Sequence, residues 1–197
     1  DVGGARLGVV DGTIFTVRDL LAATLVGSAN NAANAVARLC GMTKSDFVAQ
    51  MNARAEVLGL THTSFVDPTG IDLGNVSNAR EVAYFAAHAF AKENIRKLAG
   101  SSKTHIAALN DAAYVRDISS TNWMLYYPAY DDLYVTAGKT GFLNESGWNV
   151  VVQLHPMGED TTRSLTIVAL GAAGRRESFD DAAALARWAW GSFEWNN

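Results

Sequence analysis

The chain has 197 residues and a mass of 21.1 kDa, which at about 150 residues per domain favours one domain. Its 49% hydrophobic and 18% charged residues exclude a disordered polyelectrolyte, and a net charge of -4 offers a nucleic-acid backbone no general attraction. The longest mainly apolar run, from Leu20 to Val26, falls well short of the roughly 20 residues a membrane span requires. Cys40 is the only cysteine, so neither an internal disulfide nor a cysteine-based metal site can form, and its apolar neighbours predict a buried side chain. Residue 1 is Asp, and Asp1 to Leu7 has neither the basic start nor the apolar stretch of a secretory signal. The chain is therefore read as processed or cut.

The predicted elements fall into a helical half, about residues 16–100, and a half of sheet plus closing helix, about 101–197. Thr16 is the expected N-cap of a first helix with Val17, Leu20, Leu21, Thr24 and Leu25 on one stripe, ending near Gly27. A second helix is expected over Asn31–Leu39. Ser45 is expected to cap a third, through Phe47, Val48, Met51, Ala55 and Leu58. Ser64–Asp67 reads as extended, followed by a Pro68-Thr69-Gly70 turn. Ser77 or Asn78 caps a fourth helix through Val82, Phe85, Ala86 and Phe90, with Glu81 in the first turn where the helix dipole favours a negative charge. His105–Leu109 and Tyr114–Ile118 flank Asn110-Asp111 as a hairpin. Tyr134–Thr136 leads into Gly138–Gly141, and Trp148–His155 with Ser164–Leu170 form a second hairpin of long apolar strands. A helix over Ser178–Phe193, with Phe179, Ala183, Ala186, Trp190 and Phe193 on one face, is expected to cover that sheet.

Three motifs invite a chemical reading. Lys139-Thr140-Gly141 lies on a strand and holds one of only five lysines in the chain. The lysine supplies charge, the threonine a hydrogen bond, and the glycine lets a ligand approach the backbone, so the trio could hold a carboxylate; a solvent-facing turn would look the same. A phosphate loop is excluded, because the position five before Gly138 is Leu133 rather than glycine. Ser28-Ala29-Asn30 crowds polar and small residues at a helix start, where an N-cap or a proton relay with an amide-binding asparagine would both fit. The third motif is the polar turn Asp67-Pro68-Thr69-Gly70. His62, His88, His105 and His155 lack metal-ligand spacing, and no cofactor site is expected. Asp131-Asp132, Glu159-Asp160 and Asp180-Asp181 read as solvated or capping pairs. Trp188, Trp190 and Trp195 could touch a membrane surface but read better as part of a core cover.

In their order and neighbours these motifs resemble the serine D-alanyl-D-alanine carboxypeptidases, low-molecular-mass members of the penicillin-binding protein family. The wider superfamily carries Ser-x-x-Lys, Ser-Asp-Asn and Lys-Thr-Gly signatures. Ser28-Ala29-Asn30 resembles the carboxypeptidases' Ser-Gly-Asn. Phe15-Thr16-Val17-Arg18-Asp19-Leu20-Leu21, Met51-Asn52-Ala53, Leu58-Gly59-Leu60, Thr63-Ser64-Phe65, Asp67-Pro68-Thr69-Gly70 and Lys139-Thr140-Gly141-Phe142 also look like family segments, so the resemblance runs from about Arg6 to Phe193. It implies an α+β fold, a helical cluster on an antiparallel sheet with a closing helix.

The resemblance also implies chemistry. A serine attacks the penultimate D-Ala carbonyl of a peptidoglycan stem peptide, the terminal D-Ala leaves, and water hydrolyses the acyl-enzyme; β-lactams acylate the same serine. By that likeness Ser28 passes a proton to the leaving amine, Asn30 binds an amide carbonyl, Lys139 and Thr140 receive the terminal carboxylate, and the Phe142 N–H joins the oxyanion hole after Gly141. The implied location is the bacterial periplasm or the cell-wall side. One departure matters. The positions three before Lys44, Lys92, Lys97, Lys103 and Lys139 are Gly41, Ala89, Asn94, Gly100 and Thr136, so these residues hold no Ser-x-x-Lys. The expectation is an N-terminally incomplete domain, inert as it stands, with an exposed sheet edge where the missing strands would pair. The alternative is a non-catalytic relative that binds peptidoglycan peptides or a partner protein.

Overall fold

The computed structural model describes residues 4–158 and 163–195. The fold is α+β, with six α-helices and two antiparallel sheets among those residues. Two compact units divide the chain, and they do not follow chain order. The first joins Asp1–Glu81 to Lys103–Thr121; the second joins Val82–Ser102 to Asn122–Asn197.

The first unit holds α1 (Val17–Leu25), α2 (Asn30–Leu39), α3 (Lys44–Val57) and the start of α4 (Ala79–Phe90), with the hairpin of β1 (Lys103–Ala107) and β2 (Val115–Ser119). Thr16 caps α1 as expected, its hydroxyl accepting from the Asp19 N–H at 3.0 Å. The buried stripe of α1 differs from the expected one: Ala22, Ala23 and Val26 are buried while Val17 is exposed. Alanines win that place because α1 and α2 meet on small side chains, Ala32 and Ala37 being the buried alanines of α2. The third helix is capped by Thr43 and not Ser45, the Thr43 hydroxyl accepting from the Asp46 N–H at 3.1 Å. Asn78 caps α4, its side-chain oxygen taking the Glu81 N–H at 2.9 Å. Cys40 is exposed, contrary to expectation, because it follows the last turn of α2 as its C-cap.

Irregular segments of this unit are held by side-chain amides. Asn31 accepts from the Leu7 N–H and donates to the Leu7 carbonyl, both at 3.0 Å. Asn52 does the same to Phe65, both at 2.8 Å. Asn110, expected in a simple hairpin turn, donates to the Gly12 carbonyl at 2.9 Å and accepts from the Ile14 N–H at 2.8 Å. Each asparagine satisfies extended backbone that has no full strand partner.

The second unit holds the rest of α4, then α5 (Glu93–Ala99), β3 (Leu133–Leu143), β4 (Gly147–Pro156), β5 (Leu165–Ala172) and α6 (Arg175–Ser192). The sheet order is β3-β4-β5, all antiparallel. On one face Val150, Val152 and Leu154 of β4 pack with Phe179, Ala182, Ala183 and Ala186 of α6. On the other, Ala137 and Val151 meet Ala86, Phe90, Ile95 and Ala99. The closing helix begins three residues before Ser178, which is itself buried and donates to the Arg175 carbonyl at 2.8 Å. Phe193 leaves the packing stripe and is exposed, because as C-cap it turns to an extended backbone at φ -112° and ψ 145°. Of the residues expected on the covering face, Phe179, Ala183 and Ala186 are buried and Trp190 is half-buried, its indole donating to the Arg163 carbonyl at 2.9 Å. No helix among the described residues is long and apolar enough to cross a membrane.

The Asp67 turn carries a buried charge. Its carboxylate accepts from the Thr69 hydroxyl and N–H, the Gly70 N–H at 3.0 Å, the Asp72 N–H at 2.7 Å and the Asn75 amide at 2.8 Å. Burial alone would raise its pKa, but these donors outweigh burial and hold it down to about 2. A carboxyl lowered on folding contributes stability above its unfolded pKa of 3.8 and loses it as pH falls through about 2. Acid titration followed by circular dichroism is expected to show Asp67→Asn less stable than the parent by about 2 kcal/mol at pH 7. That difference should shrink between pH 4 and pH 2, and a constant difference would refute the assignment.

Candidate active site

The first unit places Ser28 and Asn30 in the turn from α1 to α2. The Val26 carbonyl accepts from the Thr121 N–H at 3.1 Å, the Ala29 N–H donates to the Ala23 carbonyl at 3.0 Å, and the Asn30 N–H donates to the Ala5 carbonyl at 2.8 Å. Three ties therefore fix five residues. Gly27 is required there, since a Cβ would sit 2.7 Å from Ile118 Cγ2. Ser28 is the only non-glycine with positive φ among the described residues, at 57°. Such a conformation costs a serine on the order of 1 kcal/mol and persists only where the surroundings impose it. Ser28 is half-buried and Asn30 is buried as the first residue of α2, without a side-chain N-cap before it.

The second unit places Lys139, Thr140, Gly141 and Phe142 on β3, paired in register with Val151, Val150, Asn149 and Trp148. A bulge between Val135 and Ala137 resets the alternation of the strand. Beyond it, Lys139 shares the face of Ala137 and Val151, while Thr140 shares the α6 face with Val150. Two adjacent side chains on opposite faces can address one ligand only from the strand's edge. That edge of β3 has no partner strand among the described residues. Burial pushes the Lys139 ammonium down to about 8, and it donates to the Thr140 carbonyl at 2.8 Å.

The two glycines of this strand differ in kind. A Cβ on Gly138 would lie 2.6 Å from Asn122 Nδ2 and 3.0 Å from Val152 Cγ1, so packing demands glycine. A Cβ on Gly141 would meet nothing nearer than Asn149 Cβ at 3.9 Å. The fold leaves space at Gly141 that it does not use.

The sequence profile described as D-alanyl-D-alanine carboxypeptidase, Peptidase S11, matches residues 6–173. The chain belongs to the D-alanyl-D-alanine carboxypeptidase family. It is 33% identical over 137 residues to a D-alanyl-D-alanine endopeptidase of Haemophilus influenzae, covering 70% of this chain and 45% of that protein. A D-alanyl-D-alanine endopeptidase of Pseudomonas aeruginosa is 32% identical over 180 residues, 90% of this chain and 54% of that one. The D-alanyl-D-alanine carboxypeptidase DacF of Bacillus subtilis is 30% identical over 147 residues, 74% and 36%. The chain thus spans about half or less of the length of these relatives. The crystal structure of a D-alanyl-D-alanine carboxypeptidase from Mycobacterium tuberculosis superposes with a TM-score of 0.82 at 25% identity, over 98% of this chain and 70% of that one. A mutant form of the Streptomyces K15 DD-transpeptidase gives 0.84 at 21% identity over 95% and 73%, a likeness of fold.

Elsewhere in this carboxypeptidase-family chain, structural roles account for the other polar candidates. The Glu81 carboxylate accepts from the His62 N–H at 3.0 Å and the Thr63 hydroxyl at 2.6 Å, and meets the His62 ring at 2.8 Å. Burial would raise its pKa, but the Thr63 and His62 hydrogen bonds bring it down. His105 pairs with Asp117 at 3.1 Å on the surface. Asp132 takes a two-pronged hydrogen bond from Arg187, and Asp180 accepts from the Tyr130 hydroxyl at 2.9 Å. Glu159-Asp160 lies outside the described residues. Sequence reading passed over Arg175, whose guanidinium lies 4.3 Å from the Trp123 ring centroid and 5.6 Å from that of Trp148. Starting the closing helix at Ser178 hid it; the arginine pair Arg175-Arg176 just after Gly174, at a helix start the dipole disfavours, was the available signal.

Gly138→Ala is expected to lower thermal stability by about 2–3 kcal/mol through the clash with Asn122 and Val152. Gly141→Ala should leave the melting temperature within about 2 °C of the parent, the cost of an exposed change being small. Calorimetry of the two variants checks this, and equal destabilisation would remove the distinction between them.

Proposed function

We propose that these residues form part of a serine D-alanyl-D-alanine peptidase that trims peptidoglycan stem peptides outside the cytoplasmic membrane and is acylated by β-lactams. The observation that carries the reading is the Lys139-Thr140-Gly141 trio at the open edge of β3, with a desolvated ammonium and unused space at the glycine. An extended peptide can add to such an edge by main-chain hydrogen bonds, and its terminal carboxylate then meets Lys139 and Thr140. Approach of the peptide main chain needs the absent side chain of Gly141. The Phe142 N–H is assigned to the oxyanion of the tetrahedral intermediate. Ser28 is assigned the proton transfer to the departing amine and Asn30 the grip on a substrate amide carbonyl. The strained Ser28 backbone supports the enzyme over a passive peptide binder, because a scaffold gains nothing from a hydroxyl held at that cost.

The attacking serine and its lysine base belong to Ser-x-x-Lys, which these 197 residues do not contain. The carboxylate end of the site can still be tested without them. Titration with diacetyl-L-lysyl-D-alanyl-D-alanine, followed by NMR, should show binding that weakens as pH rises above about 8, when Lys139 loses its proton. Stability should move the other way. A lysine whose pKa is lowered on folding binds fewer protons folded than unfolded between about 8 and 10.5, so stability rises with pH in that window. Lys139→Ala should abolish both trends, and peptide affinity indifferent to pH and to that substitution would sink the assignment. Incubated with fluorescent penicillin, the same 197 residues should acquire no stable covalent label; a label surviving denaturing electrophoresis would reveal a nucleophile this reading does not contain.

A further inference from the structure

Next to Phe142, the second unit carries a continuous run of rings that the peptidase chemistry does not use. Tyr126 and Tyr127 lie with ring centroids 5.3 Å apart, and Tyr127 stacks on Trp123 at 4.9 Å. The Arg175 guanidinium sits between Trp123 and Trp148, and Trp148 stacks on Phe142 at 4.2 Å. The ends of the run are open to solvent: Tyr126 is 44% exposed, Tyr127 42% and Phe142 47%. Core packing does not need this exposure. The same Trp123 also touches the buried Phe179 at 5.7 Å, so the run is anchored at its middle and presented at its ends.

We propose that this run is a subsite for the glycan strand, a β-1,4-linked chain of N-acetylated amino sugars. The inference rests on the peptidase reading, because the stem peptides hang from such a strand. Each pyranose ring has an apolar C–H face and a hydroxyl rim. The run matches that pattern, with apolar ring faces edged by the Tyr126 and Tyr127 hydroxyls and the Arg175 guanidinium. The Arg175 cation inside the run supplies a polar group that a sugar's hydroxyl rim can meet beside the apolar ring faces. A nucleic acid is disfavoured by the net charge of -4. Continuity sets the register: Phe142 follows Gly141 directly, so a sugar resting on the rings lies beside the strand that takes the peptide.

The test is a titration of the 197-residue chain with chitohexaose, reading the indole N–H resonances by proton–nitrogen NMR. A saturable shift of the Trp123 and Trp148 signals is expected. Tyr127→Ala should weaken it about tenfold or more, while Tyr127→Phe, which keeps the ring, should hold affinity within about threefold. Circular dichroism verifies folding, and Tyr126→Ala stands in if Tyr127→Ala is unfolded. Absence of a saturable shift, or a shift unchanged in the alanine variant, overturns the subsite. A parallel titration with diacetyl-L-lysyl-D-alanyl-D-alanine separates the two readings. Peptide binding without hexasaccharide binding overturns the glycan subsite and leaves the peptidase reading intact. Hexasaccharide binding without peptide binding supports the subsite and overturns the peptide-edge reading.

Discussion

One extra residue in β3 decides what that strand can present. Before the bulge, Leu133 and Val135 face the layer beneath α6; after it, Ala137 and Lys139 face α5, and Gly138 and Thr140 take the α6 face. The Thr136 hydroxyl holds the bulge by donating to the Gln153 carbonyl at 3.1 Å, its side-chain oxygen lying at 3.2 Å. In an unbroken strand Lys139 would share the face of Leu133 and Val135, and its ammonium would enter the layer of Phe179, Val152 and Leu154. That layer is fully buried, whereas on the α5 side Lys139 is half-buried and its ammonium donates to the Thr140 carbonyl. The bulge therefore lets a motif that includes a lysine continue a strand whose other end is core.

Small residues do the corresponding work where backbones approach. Gly100 closes α5 against β3, a Cβ there falling 2.3 Å from the Thr136 carbonyl oxygen, so the bulge and the helix end are fitted to each other. Gly138 leaves room for the buried Asn122, whose side-chain oxygen accepts from the Met124 N–H at 3.1 Å and so starts the turn carrying Trp123. The first unit relies instead on asparagine. Three amides grip Leu7, Phe65, and Gly12 with Ile14, giving loops the pairing that neighbouring strands would otherwise supply. Each such bond contributes only about 0.5–1.5 kcal/mol, but leaving the groups buried and unpaired would cost more.

What the sequence revealed follows from the range of each interaction. Caps and strand alternation are local, so Thr16 as a cap, both hairpins and the Lys139-Thr140-Gly141 strand were legible from neighbours. Burial is tertiary. The leucine stripe of α1 lost to Ala22 and Ala23 because the partner helix, not the helix itself, chooses the contact face. Cys40 and Phe193 failed for another reason: each sits at a helix end, where the backbone leaves the 3.6-residue period on which the forecast rests. α5 was missed because seven residues are too few for a period to show. Of the candidate site, Ser28-Ala29-Asn30 was ambiguous on chemistry alone and gained meaning only from the family likeness. The difference between Gly138 and Gly141 was illegible, since it depends on what faces each Cα from other elements.

The turn holding Ser28 shows how a fold can fix a strained residue without any strong single contact. Its backbone has the left-handed φ that elsewhere among the described residues belongs to glycines such as Gly12, Gly41, Gly59 and Gly70. Those glycines have open space around a notional Cβ, so conformation and not crowding selects them. Position 28 meets the same conformational demand and yet carries a side chain. The ties at Val26, Ala29 and Asn30 leave the intervening residue no freedom to relax into a right-handed conformation. Glycine would satisfy those ties at lower conformational cost, so backbone geometry gives no reason for serine. What serine adds is a hydroxyl carried on a backbone whose position is already set by those three ties.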